Sequence, residues 1–344
     1  MKFLLPIVAL VLVAALPSQA QDRVERRDKK GASVVVPGKI VEETAGGLRM
    51  VVQGTKKEEV ISALDIVKIT YGDVPLGVSS ALAKLAVAEV ARDHAAVLKG
   101  LEAILALPEV KNTGPAAQRY IAYRVASLRA VAADSDEQVK VAAKGLTDFV
   151  TANADSWEST LAARQLGRLQ IDAGDFAGAT RTYEAIEKGA NIPADVKFEA
   201  TGTLLDIAFQ SENFAAGKKR VAAVLADAQA PASLKDRATL YQLGLDGVQA
   251  DEAGLPVAVK KIEAAIAATA DPSLRALGYN LLGDCYLAKK QKRDAMWSYL
   301  WVDVQFNQDR GEHVKAMTRL VKLFEDEKDE EKVRLYKEKL ARLR

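Results

Sequence analysis

Cysteine is almost missing from this chain of 344 residues: Cys285 stands alone, so no disulfide can form within it. Histidine occurs twice, as His94 and His313, with no Cys or carboxylate neighbours at metal-ligand spacing. Aromatic residues make up 6% of the chain while hydrophobic residues reach 49%, so the core must rest on Ala, Leu and Val, a mixture suited to closely packed helices. Neither sign of charge dominates, since 48 Lys and Arg face 46 Asp and Glu for a net charge of +2. That balance excludes the concentrated basic surface that nucleic-acid binding requires. Long apolar runs are confined to one place, the first residues.

There Lys2 precedes an uninterrupted apolar stretch, Phe3 to Leu16, and Ser18-Gln19-Ala20 supplies small residues where a signal peptidase reads. The stretch contains Pro6 and is shorter than the roughly 20 residues of a spanning helix. A secretory signal over residues 1–20 is therefore expected, cleaved between Ala20 and Gln21, with no membrane span left afterwards. The mature protein is expected to be periplasmic or secreted. An exported protein without disulfides must be held by its core alone.

Residues 21–32 read as a polar N-terminal segment. Over 33–71 the texture is β: "SVVV", "GKIVEET", "LRMVVQG", "EEVISAL" and "DIVKITY" are rich in Val and Ile. Pro37-Gly38, Ala45-Gly46-Gly47 and Gly54-Thr55-Lys56 separate them as turn chemistry. Five short strands of this size need closure or docking to protect their edges. The run resembles the small SH3-like barrels at the front of some exported bacterial proteins, with Asp65-Ile66-Val67-Lys68-Ile69 as the final strand. Residues 72–78 read as a linker. From 79 to 344 apolar residues recur at helical spacing, as in Ala81, Leu82, Leu85 and Ala88, and then Leu98, Leu101 and Ile104.

The helical region repeats. Leu166-Gly167 is followed by a Gly174-Asp175-Phe176 hinge and then by Ala179 and Tyr183; Leu282-Gly283 is followed by a polar hinge, Ala295 and Tyr299. Gly to Ala is 12 residues and Ala to Tyr is 4 in both copies. Leu204-Leu205 with Val221, and Leu243-Gly244 with Ala258 and Ile262, are degenerate copies. The hinge positions Phe176, Phe214 and Leu255 lie 38 and 41 residues apart. Small residues let paired helices approach, large ones fill the space between pairs, and stacking continues because a lone pair cannot bury both faces.

These units resemble the tetratricopeptide repeat (TPR), best over Trp157–Ile186 and next over Tyr279–Leu300. They are longer than the roughly 34-residue TPR unit, and Gln170 and Lys290 replace the usual aromatic and hinge glycine. The fold class expected is mainly α: a TPR-like α-solenoid of about seven antiparallel pairs over 79–344, preceded by a small all-β module. In such arrays the first helix of each pair lines a groove that meets a peptide. By position, the resemblance assigns Arg164, Arg168, Asp206, Tyr241, Asn280 and Asp284 to that groove.

Catalytic chemistry is not visible. His94 and His313 read as solvated, and Cys285 as a small core residue on a packed face. No G-x-S-x-G turn or phosphate loop follows a strand. Carboxylate pairs such as Glu42-Glu43 and Glu330-Glu331 read as solvated. Trp297 and Trp301 share one helical face, read as inter-repeat packing, and the C-terminal run with Val333, Tyr336 and Leu340 reads as a capping helix. No catalytic, metal or cofactor residues are assigned. The expected function is a non-enzymatic scaffold binding a protein or peptide in the cell envelope. A self-associating structural protein is the alternative, and an enzyme with its site between β module and solenoid comes third.

Overall fold

The computed structural model describes residues 21–28, 30–55 and 57–343; the expected signal segment, residues 1–20, lies outside them. Five strands, β1 (Asp22–Arg27), β2 (Ser33–Thr44), β3 (Gly47–Val52), β4 (Glu58–Ser62) and β5 (Ile66–Thr70), form one antiparallel sheet in the order β4-β3-β2-β1-β5. The strand count agrees with the sequence reading, but two strands differ from it. Pro37-Gly38 is not a turn: it lies inside the 12-residue β2, where a Cβ on Gly38 would collide with the Val51 carbonyl. Residues 21–32, read as a polar segment, contain β1, which lies between β2 and β5. Its side chains explain why it is hard to see. Only Val24 is fully buried, whereas Glu25 accepts from Ser33 Oγ at 2.6 Å and Arg26 reaches Glu59 of β4 at 2.6 Å. That last pair joins strands separated by two others in the order, so the sheet is curled.

Helices follow as pairs. The first pair is α1 (Leu76–Lys84) and α2 (Ala86–Val90), one helix interrupted at Leu85, with α3 (His94–Leu105). The next are α4 (Pro115–Ala132) with α5 (Asp136–Ala152), α6 (Trp157–Asp172) with α7 (Phe176–Lys188), and α8 (Ala194–Gln210) with α9 (Phe214–Ala226). Then come α10 (Ala232–Gln249) with α11 (Leu255–Ala268), α12 (Pro272–Ala288) with α13 (Lys292–Gln305), and α14 (Arg310–Glu327) with α15 (Glu330–Leu343). Seven pairs are thus present among the described residues.

Five hinges share one local conformation. Arg92, Gly174, Glu212, Lys290 and Lys328 all have φ between 55° and 76°, the left-handed region. In four of them the following amide donates back to the carbonyl five residues earlier: Asp93 to Ala88, Asp175 to Gln170, Gln291 to Tyr286, and Asp329 to Phe324. This is the Schellman closure of a helix end. The residue after the hinge then caps the next helix, as Asp93 accepts from Ala96 N at 2.9 Å and Asn213 from Ala216 N at 3.2 Å. Gly174 to Glu212 and Lys290 to Lys328 are each 38 residues, the period of the unit. Lys290 therefore holds the glycine geometry without the glycine.

The chain divides into two compact units, one running to Thr182 with Gly189–Pro193, the other comprising Tyr183–Lys188 and the residues from Ala194 on. In the first, Val24, Val36, Leu48, Met50, Ile61 and Ile69 close against Ala117 and Tyr120 of α4 and Trp157 of α6. Polar bonds fix the docking: Tyr120 Oη accepts from Ile69 N at 3.2 Å, and Thr160 Oγ1 donates to Ala45 O at 2.6 Å. Arg119 bridges Glu43 and Glu158. In the second unit, Leu205, Phe209, Val221, Leu240, Tyr241 and Leu277 form one core; Ala276, Ala295, Tyr299, Met317, Leu320 and Phe324 form another. Close approach occurs where the sequence places Leu-Gly: a Cβ on Gly283 would strike the Tyr299 ring, and one on Gly244 would strike Leu281.

Candidate protein-interaction face

In the second unit, α8, α10, α12 and α14, the first members of their pairs, lie side by side and carry a connected set of buried polar side chains. Arg237 on α10 donates to Asp206 Oδ1 on α8 and to Glu312 Oε1 on α14, each at 2.6 Å. Tyr241, one turn beyond Arg237, also donates to Asp206. Lys315 lies 2.8 Å from Glu312 and 3.4 Å from Asp206. Asn280 Nδ2 on α12 donates to the Glu312 carbonyl at 3.0 Å and to its carboxylate at 2.9 Å. One turn further along α12, Asp284 accepts from Tyr299 Oη at 2.7 Å and pairs with Arg319 Nε at 3.1 Å.

Two acids, Asp206 and Glu312, and two bases, Arg237 and Lys315, thus meet in a largely buried, charge-balanced network, with the Asp284–Arg319 pair beside it. Burial opposes ionisation of Asp206, but Arg237 and Lys315 outweigh it and hold the carboxyl below its usual range. Burial likewise opposes the charge on Lys315, yet Asp206 and Glu312 keep its ammonium above the ordinary lysine value. At Asp284 burial is the larger influence, and the carboxyl is pushed up despite Arg319.

Of the six residues that the sequence assigned to a groove, the structure brings Asp206, Tyr241 and Asn280 into this network, with Asp284 close beside it. Asp206, Tyr241 and Asp284 are engaged with other helices of the same array, as is Asn280 Nδ2, while Asn280 Oδ1 is buried without a hydrogen-bond partner. Tyr241 and Asn280 are buried, at 2% and 4% exposure. Arg164 and Arg168 belong to the other compact unit, on α6, where each is held by neighbouring groups. The sequence reading missed Arg237, Glu312, Lys315 and Arg319. Their signal is helical spacing: Arg237 and Tyr241 are one turn apart, as are Glu312, Lys315 and Arg319 in succession.

Beside Asp284 the face opens into a cleft of about 260 Å³. Phe209, Phe214, Val248 and Leu287 supply apolar wall, while Glu212, Asp284 and Arg319 supply charge. Phe209 and Phe214 meet edge to face at 5.6 Å between centroids, which stiffens that wall. An apolar side chain could enter such a cleft with its neighbouring polar groups meeting the charged rim.

Elsewhere, two readings change. Trp297 and Trp301 are 59% and 50% exposed, so inter-repeat packing does not account for them; Trp301 stacks on Tyr279 at 5.9 Å, and Val304 continues the exposed stripe. His313 is not solvated: it bonds to Asp303 at 2.9 Å, and Tyr336 and Lys339 of α15 share that carboxylate. His94 is exposed at the start of α3. Cys285 is fully buried, and burial, with Asp284 adding to it, pushes its thiol up to about 12, which leaves it a poor nucleophile at neutral pH. Among the described residues, no group of three or more His, Cys, Asp or Glu is arranged to hold a metal, and no helix is long and apolar enough to cross a membrane.

No family model matches the sequence, and no curated protein matches it. A solved structure described as a tetratricopeptide repeat protein from Parabacteroides merdae is similar at a TM-score of 0.50 and 13% identity, covering 78% of this chain and 94% of that chain. With the seven pairs and their shared hinges, that likeness establishes a TPR-like helical repeat carrying a small five-stranded β module at its N-terminal side.

Proposed function

We propose that the protein is an exported, non-enzymatic scaffold that binds a protein or peptide of the cell envelope through its helical array. The observation that supports this reading is the first-helix face of the second unit, where an apolar cleft borders the Asp284–Arg319 pair. A rigid surface with an apolar slot and a charged rim suits an extended segment that presents one large apolar side chain. Export rests on the leader, with Gln21 as the mature N-terminus, and the β module is read as SH3-like.

The test is affinity capture and crosslinking of the chain in the envelope fraction of a producing bacterium. The wild type should recover a discrete partner in near-stoichiometric amount; Glu212→Lys, at an exposed rim position, should lose it without lowering the melting temperature substantially, and Phe214→Ser should lose it too. Undiminished capture by both variants would sink the assignment of this face. N-terminal sequencing of the exported protein should begin at Gln21.

A second reading, self-association, is favoured by the exposed Trp297, Trp301 and Val304 on α13. Sedimentation equilibrium separates the two: a dimer dispersed by Trp297→Ser with Trp301→Ser supports it, and a monomer at high concentration removes it.

A further inference from the structure

Between β5, α1–α2 and α4, within the first unit, lies a cavity of about 210 Å³. Its walls are apolar, formed by Ile69, Val74, Leu82, Ala83, Ala86 and Ile121. The space exists because this pair of helices meets the sheet and α4 through small residues. Ser79, Ala83, Ala86 and Ala117 all line it, and such short side chains leave space that Leu or Tyr would fill. The cavity is open to solvent on the side of Ala83 and Ala86, which are exposed.

Charge gathers at one end. Lys68 Nζ lies 2.6 Å from Glu89 Oε2, Arg124 bonds to Glu89 Oε1, and both bases line the cavity. Burial works against ionisation of Glu89, but Lys68 and Arg124 hold its carboxyl below the ordinary range. Two bases against one ionised acid leave one uncompensated positive charge. On the same helices Leu76, Val87 and Val90 are 83%, 80% and 87% exposed, at helical spacing from the wall residues Ser79, Ala83 and Ala86.

An apolar cavity of about 150 Å³ takes up one benzene, so this one has room for about eight non-hydrogen atoms. We propose that the cavity binds a medium-chain carboxylate, its hydrocarbon tail between β5, α1–α2 and α4 and its headgroup on Lys68 and Arg124. The tail displaces no ion pair. The headgroup supplies the negative charge that Glu89 alone does not, and bonds between ionised partners are the strong ones.

Isothermal titration of the full chain with octanoate, octylamine and acetate tests this. Octanoate should bind; octylamine, with the same tail and the opposite charge, should bind about tenfold more weakly or less, as expected when one charge-assisted contact is replaced by repulsion. Acetate should not saturate, because it fills none of the apolar volume. Ala83→Phe, at an exposed wall position, should abolish octanoate binding while the circular dichroism melt is retained. Lys68→Gln should weaken octanoate by about tenfold and reduce the dependence on salt. Equal affinity for octanoate and octylamine, unchanged binding by Ala83→Phe, or no binding of octanoate would each overturn the proposal. None of these outcomes bears on partner capture by the second unit, so the two readings fail separately.

Discussion

A side chain in the left-handed region costs roughly 1–2 kcal/mol relative to glycine, because its Cβ crowds the following carbonyl. Glu212 takes that conformation at the α8–α9 hinge, at φ 57°, and is exposed. Glu212→Gly should therefore raise stability, by about 0.5–1 kcal/mol once glycine's greater freedom in the unfolded chain is subtracted. A urea melt reads this as a higher midpoint at unchanged slope; a lower midpoint would mean that Glu212 contributes more through Arg319 than its backbone costs. The buried acids should behave differently from each other. Asp206→Asn leaves Arg237 and Lys315 with Glu312 as their one remaining counter-charge in the network and should cost about 3 kcal/mol at pH 7. Because the folded-state carboxyl titrates below its unfolded value, that stabilisation is present above about pH 4 and is lost as the pH falls through the folded value. The gap between wild type and Asp206→Asn should close on acidification. At Asp284 the sign reverses: its raised carboxyl means that the ionised form opposes folding above the unfolded value. Asp284→Asn keeps an acceptor for Tyr299 and should cost less than about 1 kcal/mol at neutral pH. Equal losses for the two variants would contradict this account.

Helix α15 is held to its neighbours by more than apolar contact. Tyr336 and Leu340 complete the core that contains Leu320 and Phe324, and Tyr336 and Lys339 join His313 on the Asp303 carboxylate of α13. Asp303→Ala removes the shared acceptor from three donors at once and should loosen this element first. Hydrogen exchange should then show faster exchange in α15 than in α12; uniform protection would place the anchoring elsewhere. The packed face of α15 was readable because Val333, Tyr336 and Leu340 fall on one stripe. The hinges were partly readable: Gly174 announces itself, but Lys290 and Lys328 reach the same backbone state through Schellman bonds that no residue type signals. β1 was hidden because five of its six side chains are charged, and a strand paired on both edges earns its place through backbone bonds that side-chain pattern does not report. The buried network was misread for a related reason. Position within a repeat marks Asp206 and Asn280 as groove-facing, but whether such groups meet a ligand or each other depends on charges 30 or more residues away, Arg237 and Glu312 among them.

Across the molecule, what can be removed without consequence is set by where edges are buried. Deleting residues 21–28 strips β1 from between β2 and β5 and leaves two unpaired strand edges. Such edges recruit other chains. The shortened protein should form higher oligomers in light scattering, whereas the full chain with Val24→Ala should not; a monomeric deletion variant would mean that the gap closes by itself. The position of β1 between β2 and β5 also bears on timing. It is the first described strand to leave the ribosome or a translocation channel, yet one of its two neighbours, β5, follows about 40 residues later. This early strand is thus among the last to be fully paired, and long-range pairing of this kind is slow. Whatever shelters the nascent chain must protect that opening stretch until Thr70 has emerged.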